Sequence, residues 1–175
     1  MNQKTDMALE LADLCDRLYS QVTTRGDEFL AQNFGVEKWS AEFFQLVFSI
    51  TNRTAQLERL LVNEKISEPV LAGAKSHLST IRSAFDRTAL GHPWKDQGFA
   101  RVSTAHSSPI RMLSAVISRD HSYPALSSDE RTEIAGIVNE LLDWLDEHQL
   151  SERDFIRECL IDGLREFLFR LERLE

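Results

Sequence analysis

Four residues near the middle of the chain have the types and spacing that phosphate chemistry uses. Arg87 and His92 are separated by four residues, and Arg101 and His106 repeat that spacing. A guanidinium grips phosphate oxygens in a planar fork and steadies the charge that builds during transfer. An imidazole titrates near neutrality, so it can take a proton from a 2′-hydroxyl or return one to a leaving oxygen. The surrounding segment has a composition to match. From Arg87 to Pro124 there are five basic residues (Arg87, Lys95, Arg101, Arg111 and Arg119) and two acidic ones, Asp96 and Asp120. Three of the five histidines, His92, His106 and His121, fall there too. Basic, histidine-containing stretches on an acidic chain are where an anion contact is expected. The candidate catalytic residues are therefore Arg87, His92, Arg101 and His106. The candidate anion-binding set is Arg87, Lys95, Arg101, Arg111, Arg119 and His121.

The R-x4-H spacing resembles the motif of the HEPN ribonucleases. That resemblance implies a helical bundle in which motifs from two protomers form a metal-independent ribonuclease site. It covers six residues at each match. The residue after the arginine is Thr88 in one match and Val102 in the other, where many of the family's motifs carry Asn, Asp or His. With fifteen arginines, five histidines and three permitted spacings, chance supplies about 1.3 matches, against the two present. An RNA- or phosphate-handling role is thus the alternative reading and not the leading one. Leu90-Gly91-His92-Pro93 also reads as a helix stop, with glycine just past the end and proline soon after.

Other chemistries leave no mark. There is no H-E-x-x-H, no G-x-S-x-G, no Walker loop and no G-x-G-x-x-G. No histidine has a carboxylate three or four positions before it, as carboxylate-bridged metal bundles need. No metal or cofactor is expected. His77 sits beside an apolar stripe, and His148 lies in a last helical turn where a cation suits the helix dipole. Cys15 and Cys159 fall among apolar residues and read as small hydrophobes, not as a disulfide or zinc pair.

The chain that must position these residues is 175 long, 42% hydrophobic and 27% charged, with a net charge of −8. That size and balance predict one globular domain. The negative charge disfavours DNA and anionic membrane surfaces and suits a basic protein partner. The first residues lack the basic and apolar regions of a secretion signal, and no apolar run approaches the ~20 residues of a membrane span. A cytoplasmic location is expected.

Apolar periodicity of helical type dominates, and six helices are predicted. The first spans about 6–33, with Gly26 able to bend it and Gly35 placed to end it. The second runs from a Ser40 cap to about Asn63 and is apolar nearly all round, which suits either a central helix or a partner surface. The third extends from Ser67 to Leu90. A non-periodic loop is expected at about 91–107, the longest in the chain. A fourth helix follows over 110–118, opened by Ser108-Pro109. The fifth starts at a Ser127/Glu130 capping box and the sixth at Ser151/Asp154. Asp143, Asp146 and Glu147 form an acidic helix face, solvated or set against a basic partner. The last stripe is still in phase at Leu174, which would suit a domain of a longer protein.

The fold expected is an all-α, mainly antiparallel bundle. The function expected is a non-enzymatic interaction or regulatory role, of the antitoxin, immunity or adaptor type. A protein partner, self-association, or both, would serve it.

Overall fold

A computed structural model describes residues 4–64, 66–117, 123–124, 126–147 and 154–173. Its backbone is helical almost throughout, in two compact units, Met1–Pro124 and Ala125–Glu175. The all-α class is as expected.

In the first unit α1 (Met7–Leu18) is capped by Asp6, whose carboxylate accepts from the backbone amides of Ala8 and Leu9 at 2.8 and 3.1 Å. Its buried face is Ala8, Leu11, Ala12, Cys15 and Leu18. α2 (Gly26–Phe34) ends on Gly35, whose left-handed φ of 61° suits glycine. α3 (Ala41–Asn63) starts where Ser40 Oγ accepts from the Phe43 amide at 3.2 Å. α4 (Glu68–Ser83) packs beside it, followed by α5 (Arg87–Gly91), α6 (Trp94–Arg101) and α7 (Thr104–Met112), with a 3-10 turn over Leu113–Ala115. α1 packs on α3 and α7, and α4 packs on the same two, so four helices close a ring. Leu11, Phe43, Leu57, Leu61, Leu78 and Ile110 are fully buried in this unit. α2, α5 and α6 pack on one another. A two-residue pairing joins β1 (Lys4–Thr5) antiparallel to β2 (Tyr123–Pro124), Lys4 opposite Pro124 and Thr5 opposite Tyr123.

Four expectations need correction. The first helix is two helices, because the chain between them leaves the helix to pair with a remote segment. The Gly26 amide donates to His92 O at 2.9 Å, the Trp94 amide to Thr24 O at 2.8 Å and the Lys95 amide to Val22 O at 3.0 Å. Gly26 is required at this crossing, since a Cβ there would stand 2.9 Å from the carbonyl oxygen of Ala89. The third helix stops at Ser83, and Asp86 caps a new one by accepting from the Ala89 amide at 2.7 Å.

The loop at 91–107 is the third. α6 and the start of α7 occupy it. Its buried positions, Trp94, Gly98 and Val102, recur every four residues. The glycine in the middle hides that stripe, because the Trp94 ring covers the space a side chain would fill. The fourth is the helix expected over 110–118: it is α7, which starts at Thr104, so Pro109 lies inside it, and it gives way to the 3-10 turn at Leu113.

In the second unit α8 (Ser128–Glu147) and α9 (Asp154–Arg173) pack on each other. The predicted capping box forms: the Glu130 amide donates to Ser127 Oγ at 3.2 Å, and Glu130 Oε2 accepts from the Ser127 amide at 2.8 Å. The Ser127 amide and the Ser127 hydroxyl, both donating to Oε2, hold the Glu130 carboxyl below its ordinary range. Arg157 Nε donates to the carbonyl of Leu145 at 2.8 Å, satisfying a free oxygen at the end of α8. The expected cap at Ser151 lies outside the described residues, as does His148.

Candidate functional site

The two R-x4-H pairs receive different environments. Arg87 opens α5 and His92 follows its last residue; both are exposed. His92 Nδ1 lies 2.8 Å from Thr88 O. A carbonyl only accepts, so that geometry puts a proton on Nδ1, which donates to Thr88 O. Among the described residues the Arg87 side chain has no hydrogen-bonding partner.

Arg101 and His106 are each engaged elsewhere. Arg101 donates to the carbonyl of Ser83 at 2.8 Å and to Gln97 Oε1 at 2.9 Å, which ties α6 to the end of α4. His106 on α7 faces His77 on α4, with Nδ1 to Nδ1 at 3.0 Å and the rings edge to face. One imidazole donates and the other accepts, so the two rings cannot both be protonated in this contact. Partial burial and the neighbouring His77 hold His106 below its ordinary pKa. Sequence spacing could not reveal this partner, which lies 29 positions away.

Arg111 is the most heavily engaged of the anion-binding candidates. Its two terminal nitrogens reach Asp13 Oδ1 and Asp16 Oδ2, both at 2.7 Å. Asp16 also accepts from Ser107 Oγ at 2.9 Å. The i, i+3 spacing of Asp13 and Asp16 sets both carboxylates on one face of α1, toward α7. These bonds raise the Arg111 pKa and neutralise the charge an incoming anion would seek. Lys95 is exposed, and its backbone amide serves the crossing described above. Arg119 and His121 lie outside the described residues. Of the six candidate positions, then, Arg101 and Arg111 work as internal ties, while Arg87 and Lys95 stand free on the surface.

The segment is anchored by Trp94, which is fully buried and donates from Nε1 to Leu18 O at 3.0 Å. Phe29 packs on its ring at 5.1 Å between centroids and Phe85 at 6.3 Å.

A second surface carries aromatic side chains. On α3, Phe44 and Phe48 are 56% and 60% exposed, one turn apart. Trp39 stands beside them, 5.8 Å from Phe44 and 5.1 Å from the buried Phe43 between ring centroids. Trp39 adopts φ 65°. A bulky residue in that region carries a strain of about 1–2 kcal/mol, which the ring contacts offset. The same face of α3 continues through Thr51 and Ala55 to exposed Val62. There it meets an open depression of about 330 Å³ lined by Ala55, Glu58, Arg59, Val62, Asn63 and Arg82. Arg82 is held by Thr54 Oγ1 at 3.0 Å and Glu58 Oε2 at 3.2 Å. The sequence signal for this surface is the excess of Phe44 and Phe48 over the buried stripe of the second predicted helix.

The charge divides by unit. Residues 1–124 carry fourteen acidic and fourteen basic side chains, and residues 125–175 carry fourteen acidic and six basic. The whole net charge of −8 belongs to the second unit. No group of three or more metal-ligating side chains occurs among the described residues, and no helix there is long and apolar enough to cross a membrane. Comparison with protein-family models, curated proteins and solved structures gives no match.

Proposed function

We propose that this protein acts by binding another protein, as a cytoplasmic interaction or regulatory element, and not by catalysis. The observation that carries the reading is the aromatic surface formed by Phe44 and Phe48 on α3 and by Trp39 in the turn before it. Exposed aromatic side chains grouped on one rigid element are the usual anchors of a protein interface. The position of Phe44 and Phe48 on a long, firmly packed helix means little ordering is needed on binding. The candidate catalytic residues support the same reading, because Arg101 and His106 are occupied by different partners. Two free cysteines, one buried, suit a reducing compartment.

A photocrosslinking residue at position 48 tests this. It should join a single protein in cells, and that protein should bind the purified chain with at least about tenfold weaker affinity to F44S/F48S, as expected when two aromatic anchors are removed. Substitution of these exposed residues should leave the fold intact by circular dichroism. A strict monomer by light scattering that yields no crosslinked protein would overturn the proposal.

A further inference from the structure

The second unit has an apolar strip that its own two helices do not bury. The residues buried in the pair include Val138 and Leu145 on α8 and Ile161, Leu168 and Leu171 on α9. Ile137, 58% exposed, and Leu141 lie outside that seam on α8, and Leu160 and Phe167 lie outside it on α9. At about 100° per residue, Ile137 and Leu141 share one flank of α8 and Leu160 and Phe167 share one flank of α9. Arg157, near the start of α9, reaches the carbonyls of Leu145 and Asp146, near the end of α8, so the helices run antiparallel. Both exposed flanks are displaced from the seam in the same rotational sense. In an antiparallel pair that places them on the same side, as one continuous strip.

The strip has a charged border. Glu133, Glu140, Asp143 and Glu147 are all exposed and fall on the outer side of Ile137 and Leu141 around α8. α8 carries seven acidic residues against one basic one, Arg131, which points to the other side of the helix. An apolar strip edged by carboxylates is complementary to a helix with an apolar stripe and a basic flank. It is poorly complementary to a second copy of itself, since each copy brings the full −8 of the chain.

We infer that the α8–α9 pair is a docking site for a basic amphipathic helix of a partner protein. This rests on the reading that the chain works by binding proteins, and it assigns that binding a second surface with its own chemistry. The helix lies along the strip, with its apolar side chains against Ile137, Leu141, Leu160 and Phe167. Its lysines or arginines face the α8 carboxylates.

The test uses the full chain and a fluorescein-labelled synthetic peptide of leucine and lysine in helical amphipathic order, read by fluorescence anisotropy. Two comparison peptides are the same composition scrambled to destroy the stripe, and a leucine–glutamate version. The amphipathic basic peptide should bind, with affinity falling as salt rises. The scrambled peptide should bind at least about tenfold more weakly, and the acidic one not at all. I137S/L141S and, separately, E140K/D143K should each weaken binding about tenfold. The charge reversals sit on exposed positions, so they read the border even if the apolar variant folds poorly. Equal binding of the scrambled peptide, or insensitivity to E140K/D143K, would overturn the inference. So would concentration-dependent self-association abolished by I137S/L141S, which would give the strip to a second copy. These outcomes leave the α3 surface untouched, because its test reads Phe44 and Phe48.

Discussion

Replacing Trp94 tests how the first unit is held together, and Gly98 supplies the control. The Trp94 ring is fully buried, lies on Gly98 and packs near Phe29 and Phe85. Full truncation of a buried tryptophan costs about 3–5 kcal/mol. Trp94→Phe keeps an aromatic ring in place and loses the Nε1–H donated to Leu18 O. That carbonyl still accepts from the Ser20 amide at 2.9 Å, so no acceptor is stranded, and the cost should be about 1–2 kcal/mol. Gly98→Ala is the sharper probe. A Cβ there would stand 2.1 Å from Trp94 Cε3, so either the ring or the backbone must move, at about 1–3 kcal/mol. In a Trp94→Leu background the obstructing ring is gone. The same glycine-to-alanine change should then become neutral or stabilising, by up to about 1 kcal/mol from helix propensity. Urea denaturation followed by circular dichroism gives the four stabilities of this cycle. If Gly98→Ala costs the same with and without the tryptophan ring, the packing argument is wrong. A Trp94→Phe loss as large as that of Trp94→Ala would likewise show that the hydrogen bond and not the ring does the anchoring.

Acidification should weaken the first unit through the His77–His106 contact. His106 has a lowered pKa in the fold, so the stability it contributes is present above its unfolded value near 6.5 and is lost as pH falls through the folded value. The urea midpoint should therefore drop between about pH 7 and pH 5, and His106→Gln should flatten that part of the profile; identical slopes would refute the assignment. Burial, with Asp16 adding to it, pushes the Cys15 thiol up to about 12, whereas Cys159 is exposed. A thiol reagent at pH 8 should titrate one cysteine in the native protein and both in denaturant. The R-x4-H pairs yield a direct check as well: RNA incubated with the purified chain should stay intact, and cleavage that disappears in His92→Ala would count against a non-catalytic role.

What could be read from the sequence was whatever is decided within one or two helical turns. Ser40, Gly35 and the Ser127/Glu130 box act on backbone groups three or four residues away, and each does in the structure what its type and position implied. The break after Leu18 was hidden because Val22 continues the apolar stripe in phase. The chain leaves the helix there to bond with residues 92–95, which no local pattern records. The helix over Trp94–Arg101 was missed because a glycine occupies the middle of its buried stripe. The candidate site divided along the same line. The types and spacing of Arg101, His106 and Arg111 were visible, but their partners at Ser83, His77, Asp13 and Asp16 are set by packing between helices. The α3 aromatic residues stood out as surplus to one stripe, and the structure leaves them at the surface.

The short pairing of Lys4–Thr5 with Tyr123–Pro124 has a consequence for how the first unit can be rewired. Directly paired antiparallel residues have Cα atoms about 4.5–5.5 Å apart, so the chain enters and leaves this unit at one point. A linker of a few residues could join these ends at little entropic cost. New termini opened at an exposed turn, such as Glu37–Lys38 between α2 and α3, would then give a circular permutant with the same core. Its stability, compared with that of the native order, would separate what the ring of helices contributes from what the order of synthesis does.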